Sequence, residues 1–276
     1  MKKSLVSVLT VAAFVFGMTS CNGAKKTNEE AEKTEAAAVI AGSIPRNVLT
    51  EELKQETILL LKDMPDSEIP HRISTGEVKV SVGDLSYMLP VSKASELTTA
   101  TQQARACGMY LADYNILKVT GQPTKEVENA LVKLTADLNV SFLLDILKEE
   151  APANATNEEL QAFLKKQEDR IIEKMASEDK MEVLIEILGG GSAENACLIA
   201  NPTLVVKGDA TSAALSFNME KRVEILNEIV ADLAEYYPDL KQLGQTISPL
   251  KEKLESIQSA RAANAEIIDI RNSLLK

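Results

Sequence analysis

Residues 124–139 read TKEVENALVKLTADLN. Val127, Ala130, Leu131, Leu134 and Leu138 stand at i, i+3, i+4, i+7 and i+11, so one face of a helix is apolar and the others carry lysine, glutamate and asparagine. The same spacing extends in both directions. Upstream, residues 92–119 read as one long helix closed by Gly121, with Pro123 set to begin the next. Downstream, residues 142–147 add another apolar turn or two, and Thr156 with Glu159 forms a capping box ahead of a helix with Phe163, Leu164, Ile172 and Met175 on its inner face. Apolar helices follow over about 179–199, interrupted by Gly189-Gly190-Gly191, and about 212–237, with Tyr237 on its lining face and Pro238 as its stop. Ser248-Pro249 reads as N-cap and first residue of a last, polar helix reaching the C-terminus.

Toward the N-terminus, Thr50 caps a helix running to about Lys62 and ending before Pro65. Glu77 to Val82 alternates between Gly76 and Gly83, which predicts a short strand or hairpin near residues 77–82. The expected fold class is all-α, a bundle of about seven or eight helices over residues 44–276.

Composition narrows the chemistry. The 276 residues carry one histidine, His71, no tryptophan and a formal net charge of −11. Sites needing two or more histidines are excluded, and Ser-His-Asp catalysis has only His71 to run through. The acidic balance opposes nucleic-acid binding, because phosphate backbones are held by clustered lysine and arginine. No cofactor motif stands out: the Gly189–Gly191 loop holds no Lys or Arg, and the Gly-Lys-Ser/Thr sequence of a phosphate loop is absent. Cys107 and Cys197 fall in predicted helix interiors and read as two buried thiols, a disulfide being the alternative in an oxidising compartment.

The first twenty residues have a different character. Met1-Lys2-Lys3 precedes an apolar run from Leu5 to Phe16, then Gly17-Met18-Thr19-Ser20-Cys21. This is the pattern of a secretory signal peptide, too short to span a membrane stably. It resembles a bacterial lipoprotein signal, with Met18 where leucine is usual, and the resemblance implies acylation of Cys21, including palmitate. Loss of residues 1–20 removes Lys2 and Lys3 and takes the net charge from −11 to −13. Residues 22–43 are almost free of apolar side chains before Val39 and read as a disordered tether, reaching roughly 25 Å as a coil. The order Asn22-Gly23-Ala24-Lys25-Lys26, with acids starting only at Glu29, favours by resemblance an outer-membrane protein facing the periplasm.

Within the helical domain, Ala104, Cys107, Gly108 and Ala112 leave room for another backbone, while Tyr110, Asp113 and Tyr114 add polar reach. They read either as a ligand pocket or as a central helix whose buried Asp113 is hydrogen-bonded to a neighbour. Glu194 and Asn195, after the glycines, complete the set of candidate binding residues. Gly108-Met109-Tyr110-Leu111-Ala112-Asp113-Tyr114, with Met88-Leu89-Pro90 and Gly189-Gly190 followed by Glu194, resembles a group of uncharacterised helical lipoproteins of the Bacteroides group. The chain departs from them at Tyr114, where leucine is usual, and at Gly191-Ser192, where bulkier residues are usual. The resemblance implies compartment and fold and carries no activity.

The expected function is therefore a lipid-anchored, non-catalytic binding or interaction module of the cell envelope. It would be held to the membrane through acyl chains on Cys21 and engage a protein or small-molecule partner. The alternatives are a carrier of an apolar small molecule between helices and a carboxylate-dependent enzyme. The enzyme requires Asp113 and Glu194 to meet in an open cleft.

Overall fold

The structure, a computed structural model, describes residues 49–81, 85–149, 152 and 156–276; the leader, Cys21 and the segment 22–43 lie outside the described residues. Threonine caps open three of the helices. Thr50 Oγ1 accepts the Leu53 amide at the start of α1 (Glu51–Asp63). A short α2 (Ile69–Ser74) follows, then β1 (Val78–Lys79) and a 3-10 turn at Val91–Ser95. Thr99 Oγ1 accepts the Gln102 amide while the Gln102 side chain accepts the Thr99 amide, which sets the first turn of α3 (Ala100–Val119). Gly121, at φ +69°, closes α3 in the left-handed region that glycine enters without a Cβ clash. After α4 (Lys125–Asp137) and α5 (Phe142–Leu147), the Thr156–Glu159 capping box starts α6 (Asn157–Ser177). The chain continues through α7 (Met181–Ala200), β2 (Val205–Val206), α8 (Asp209–Leu233) and α9 (Pro238–Ile247). It ends in α10 (Leu250–Lys253), α11 (Ile257–Ala262) and α12 (Asn264–Ser273).

The fold is all-α, a multi-helix bundle in which, among the described residues, eight helices run ten residues or more. Helix α7 occupies the centre, with α3 along one side and α8, α9, α11 and α12 around the rest; α4 covers the far side of α3. Helix α7 is long and apolar enough to cross a membrane, yet 78% of its apolar window is buried inside the protein, as in a core helix. The two strands form a single antiparallel pair, Val78 opposite Val206 and Lys79 opposite Val205.

Several elements differ from the sequence reading, each for an identifiable reason. The expected helix over 92–119 divides, because the Thr99 cap restarts the chain after the 3-10 turn. The strand near 77–82 forms, but its partner is the α7–α8 connection and not a local hairpin. The glycines of 189–191 do not interrupt α7: Gly190 and Gly191 face the α3 backbone, and Gly189 faces the Leu243 side chain. Helix α8 ends at Leu233 and leaves Tyr237 outside it, as the cap of α9. Ser248 closes α9, and the C-terminal stretch is three short helices. Leu250, Leu254, Ile257, Ala260, Ile267 and Leu274 are all buried there, which a straight rod could not achieve on a curved core.

Cys107 and Cys197 are both free and buried, which removes the disulfide alternative. Burial pushes the Cys107 thiol up to about 12 and the Cys197 thiol higher still, so neither is a thiolate at neutral pH.

Candidate functional site

The small residues of α3 and the glycines of α7 face each other. A Cβ on Gly108 would stand 1.8 Å from the Ile187 carbonyl oxygen, and one on Gly190 would stand 1.9 Å from that of Arg105. The two backbones are therefore in direct contact. Paired positions rise together, Arg105 with Glu186 and Asp113 with Glu194, so the helices run in the same direction.

A buried polar cluster lies on each side of this crossing. On one, Arg105 grips Glu186 with two nitrogens, Nε–Oε2 at 2.6 Å and Nη2–Oε1 at 3.2 Å. Its remaining N–H groups donate to the Leu274 and Asp239 carbonyls, which ties the ends of α12 and α9 to the pair. Burial raises the Glu186 carboxyl, and the Arg105 guanidinium opposes that shift.

On the other side, Arg271 of α12 donates to Glu194 Oε2 at 2.6 Å and to the Tyr87 carbonyl at 3.0 Å. Asp113 Oδ2 accepts the Leu89 amide at 3.3 Å, and Tyr110 donates its hydroxyl to the Pro90 carbonyl at 2.9 Å. The Asp113 and Glu194 carboxyls are close enough to influence each other, and their oxygens Oδ1 and Oε1 are buried with no hydrogen-bond partner among the described residues. Desolvation raises both acids, Glu194 to about 7 and Asp113 well above its ordinary range, with the charge of Glu194 adding to the rise at Asp113. Arg271 opposes the rise at Glu194, whereas Asp113 has no cation in hydrogen-bond contact.

Tyr110, Asp113 and Glu194 are thus brought together, at 0%, 1% and 1% exposure. Tyr114 and Asn195 are not among them. Tyr114 is half-buried on another face of α3, with Lys118 Nζ 5.9 Å from its ring centre. Asn195 takes no part in the hydrogen bonds of the cluster. Arg105, Glu186 and Arg271 escape a sequence reading that looks for clefts. A sign of the first pair exists, since Glu186 interrupts the most apolar helix and a charge there must be partnered. Arg271 offers no such sign, lying in a stretch as polar as a solvated helix.

Among the described residues, two clefts stand out at the surface. One, of about 430 Å³, lies among α3, α4, α5 and α6 and is lined mainly by Leu111, Leu131, Val132, Leu144, Leu147 and Phe163, with Tyr114 and Lys118 contributing from α3. The other, of about 660 Å³, lies between Leu85–Val91, α3 and the start of α4, and includes Asp113 beside Leu89, Pro90 and Leu117. Among the described residues no three His, Cys, Asp or Glu side chains are grouped to hold a metal ion. Comparison with family models, curated proteins and solved structures gives no match. A functional reading rests on the geometry of these sites.

Proposed function

We propose that the chain is a lipid-anchored helical protein of the cell envelope, facing the periplasm from the outer membrane, and that its helical part is a non-catalytic binding module. It resembles the helical lipoproteins of the Bacteroides group through the Gly108–Tyr114 and Gly189–Glu194 motifs, and its anchor is the acylated Cys21. One observation carries the reading. The reactive side chains that the fold gathers, Asp113 and Glu194, are each 1% exposed and held by the Leu89 amide and by Arg271, while the cleft at Tyr114 is walled largely by apolar groups. General acid–base chemistry needs a proton donor or acceptor within reach of substrate. An aliphatic cleft needs only a ligand that fits.

The test uses the full chain released from membranes in mild detergent. Native mass spectrometry is expected to show a retained non-protein mass, and a panel of chromogenic esters, phosphates and glycosides is expected to show no turnover. Turnover abolished by Asp113→Asn or Glu194→Gln in a protein that still melts cooperatively would overturn the proposal.

A further inference from the structure

The cleft among α3, α4, α5 and α6 combines apolar walls with lysines, and that combination defines a class of ligand. Its floor and walls are Leu111, Leu131, Leu144, Leu147 and Phe163, and its volume of about 430 Å³ falls in the roughly 300–1,000 Å³ range of small-molecule pockets. Val132 and Leu164 leave 52% and 45% of their surfaces exposed on its lip. Exposed aliphatic side chains gathered along one concavity are a common mark of a binding surface.

Lysines add charge to this lining. Some lysines of this acidic chain are paired, as Lys62 with Glu173, Lys93 with Glu96, Lys133 with Asp137 and Lys174 with Glu178. Lys118 and Lys148 line the cleft, are exposed, and have no carboxylate within ion-pair distance among the described residues; Lys118 rests over the Tyr114 ring. Of the two acids that share the lining, Glu149 is paired with two N–H groups of Arg170, at 2.6 and 2.8 Å, and Glu128 accepts the neutral Thr124 hydroxyl at 2.7 Å. Two available ammonium groups at the edge of an aliphatic trough complement an anionic head on an apolar tail.

We propose that this cleft binds a long-chain fatty acid, its hydrocarbon tail along Leu111, Leu131 and Leu144 and its carboxylate between Lys118 and Lys148. The proposal rests on reading the chain as a binding module and deepens it by naming site and ligand class. Removal of methylenes from water supplies the affinity, and the lysines supply discrimination against neutral chains.

The experiment keeps the full chain, reconstituted in phosphatidylcholine vesicles, and uses two photoreactive, clickable probes: a diazirine palmitic acid and the matching hexadecanol. Peptide mapping is expected to place palmitate adducts on α3, α4 or α5 at the cleft, with unlabelled palmitate competing. Val132→Glu with Leu164→Glu, both at half-exposed positions so that the fold is retained, should remove those adducts. Lys118→Glu with Lys148→Glu should lower the palmitate yield by about tenfold, ~1.4 kcal/mol, and leave hexadecanol unchanged. Equal labelling by both probes, insensitive to the lysines, would overturn the fatty-acid assignment while leaving a binding module in place. Adducts confined to residues 1–43, or not competed, would overturn the site itself. Enzymatic turnover in the panel above would sink the binding-module reading independently of either.

Discussion

A carboxylic acid removed from water keeps its proton unless a neighbouring cation takes the proton's place, and the two acids beside the α3–α7 crossing divide along that line. Glu194 has Arg271 at 2.6 Å, whereas Asp113 has the Leu89 amide and the Glu194 carboxyl. The amide of asparagine can make the same two contacts as a protonated aspartate, so Asp113→Asn should cost less than about 1 kcal/mol. Glu194→Gln strands the buried Arg271 charge and should cost about 3–5 kcal/mol. The pH dependence follows from the raised carboxyls. Above the ordinary aspartate value of 3.8 the unfolded chain releases a proton that the folded chain retains, so this group's stabilisation is full in acid and declines as pH rises from about 4 toward neutrality. Urea midpoints measured from pH 4 to 7 should therefore show a shallower acid-side advantage in Asp113→Asn than in the wild type. An unchanged slope, or equal losses from the two substitutions, would show that Asp113 carries no such proton. The sequence groups Tyr110, Asp113, Tyr114, Glu194 and Asn195 as candidates, and requires a partner for Asp113 because a buried polar group must be satisfied; the fold joins three of the five. The sequence says nothing of Arg271, whose role depends on a bend between α11 and α12 that returns the C-terminus to the core.

At the scale of elements, the α3–α7 contact sets a test of which glycines are structural. Replacing a helical glycine by alanine ordinarily gains about 1 kcal/mol in helix propensity. At Gly108 and Gly190 the added methyl meets backbone oxygen at 1.8 and 1.9 Å, so the helices must separate and the flanking ion pairs lengthen. Each substitution should cost more than about 3 kcal/mol. Gly191 is the internal comparison, since its Cβ would lie 3.2 Å from the Gly108 oxygen, and Gly191→Ala should fall within about 1 kcal/mol of wild type. Denaturant unfolding of the three variants checks the order; three equal effects would mean that helix propensity, not close approach, governs the region. Helix period and threonine caps made α1, α4, α5 and α6 legible in the sequence, since those signals are local. The continuous α7 and the three-part C-terminus were not. A glycine run in a helix and a polar amphipathic tail each acquire their form from a neighbour distant in sequence.

For the whole molecule, the question is what would hold it to a membrane. Helix α7 has the length and composition of a span, but most of its apolar surface faces α3, α8, α9, α11 and α12, and exposing it to lipid would dismantle the core. Attachment then falls to the proposed acyl chains on Cys21. One chain holds a protein only marginally, and two or three, at about 0.8 kcal/mol per buried methylene, hold it stably. Two consequences separate these mechanisms. Alkyne-palmitate fed to cells should label the wild-type protein and not Cys21→Ala. Trypsin acting on membrane vesicles that expose the protein should cut after Lys25 or Lys26, in the stretch read as a tether, and release the helical part into the supernatant with its α-helical circular dichroism intact. Retention of that fragment in the pellet after complete cleavage would mean that the helical part has its own grip on lipid, and the anchor assigned to Cys21 would have to be abandoned as sufficient. A released fragment that still carries the palmitate cleft among α3, α4, α5 and α6 would separate the two lipid contacts, one covalent and holding the protein in place, the other reversible and part of what it does.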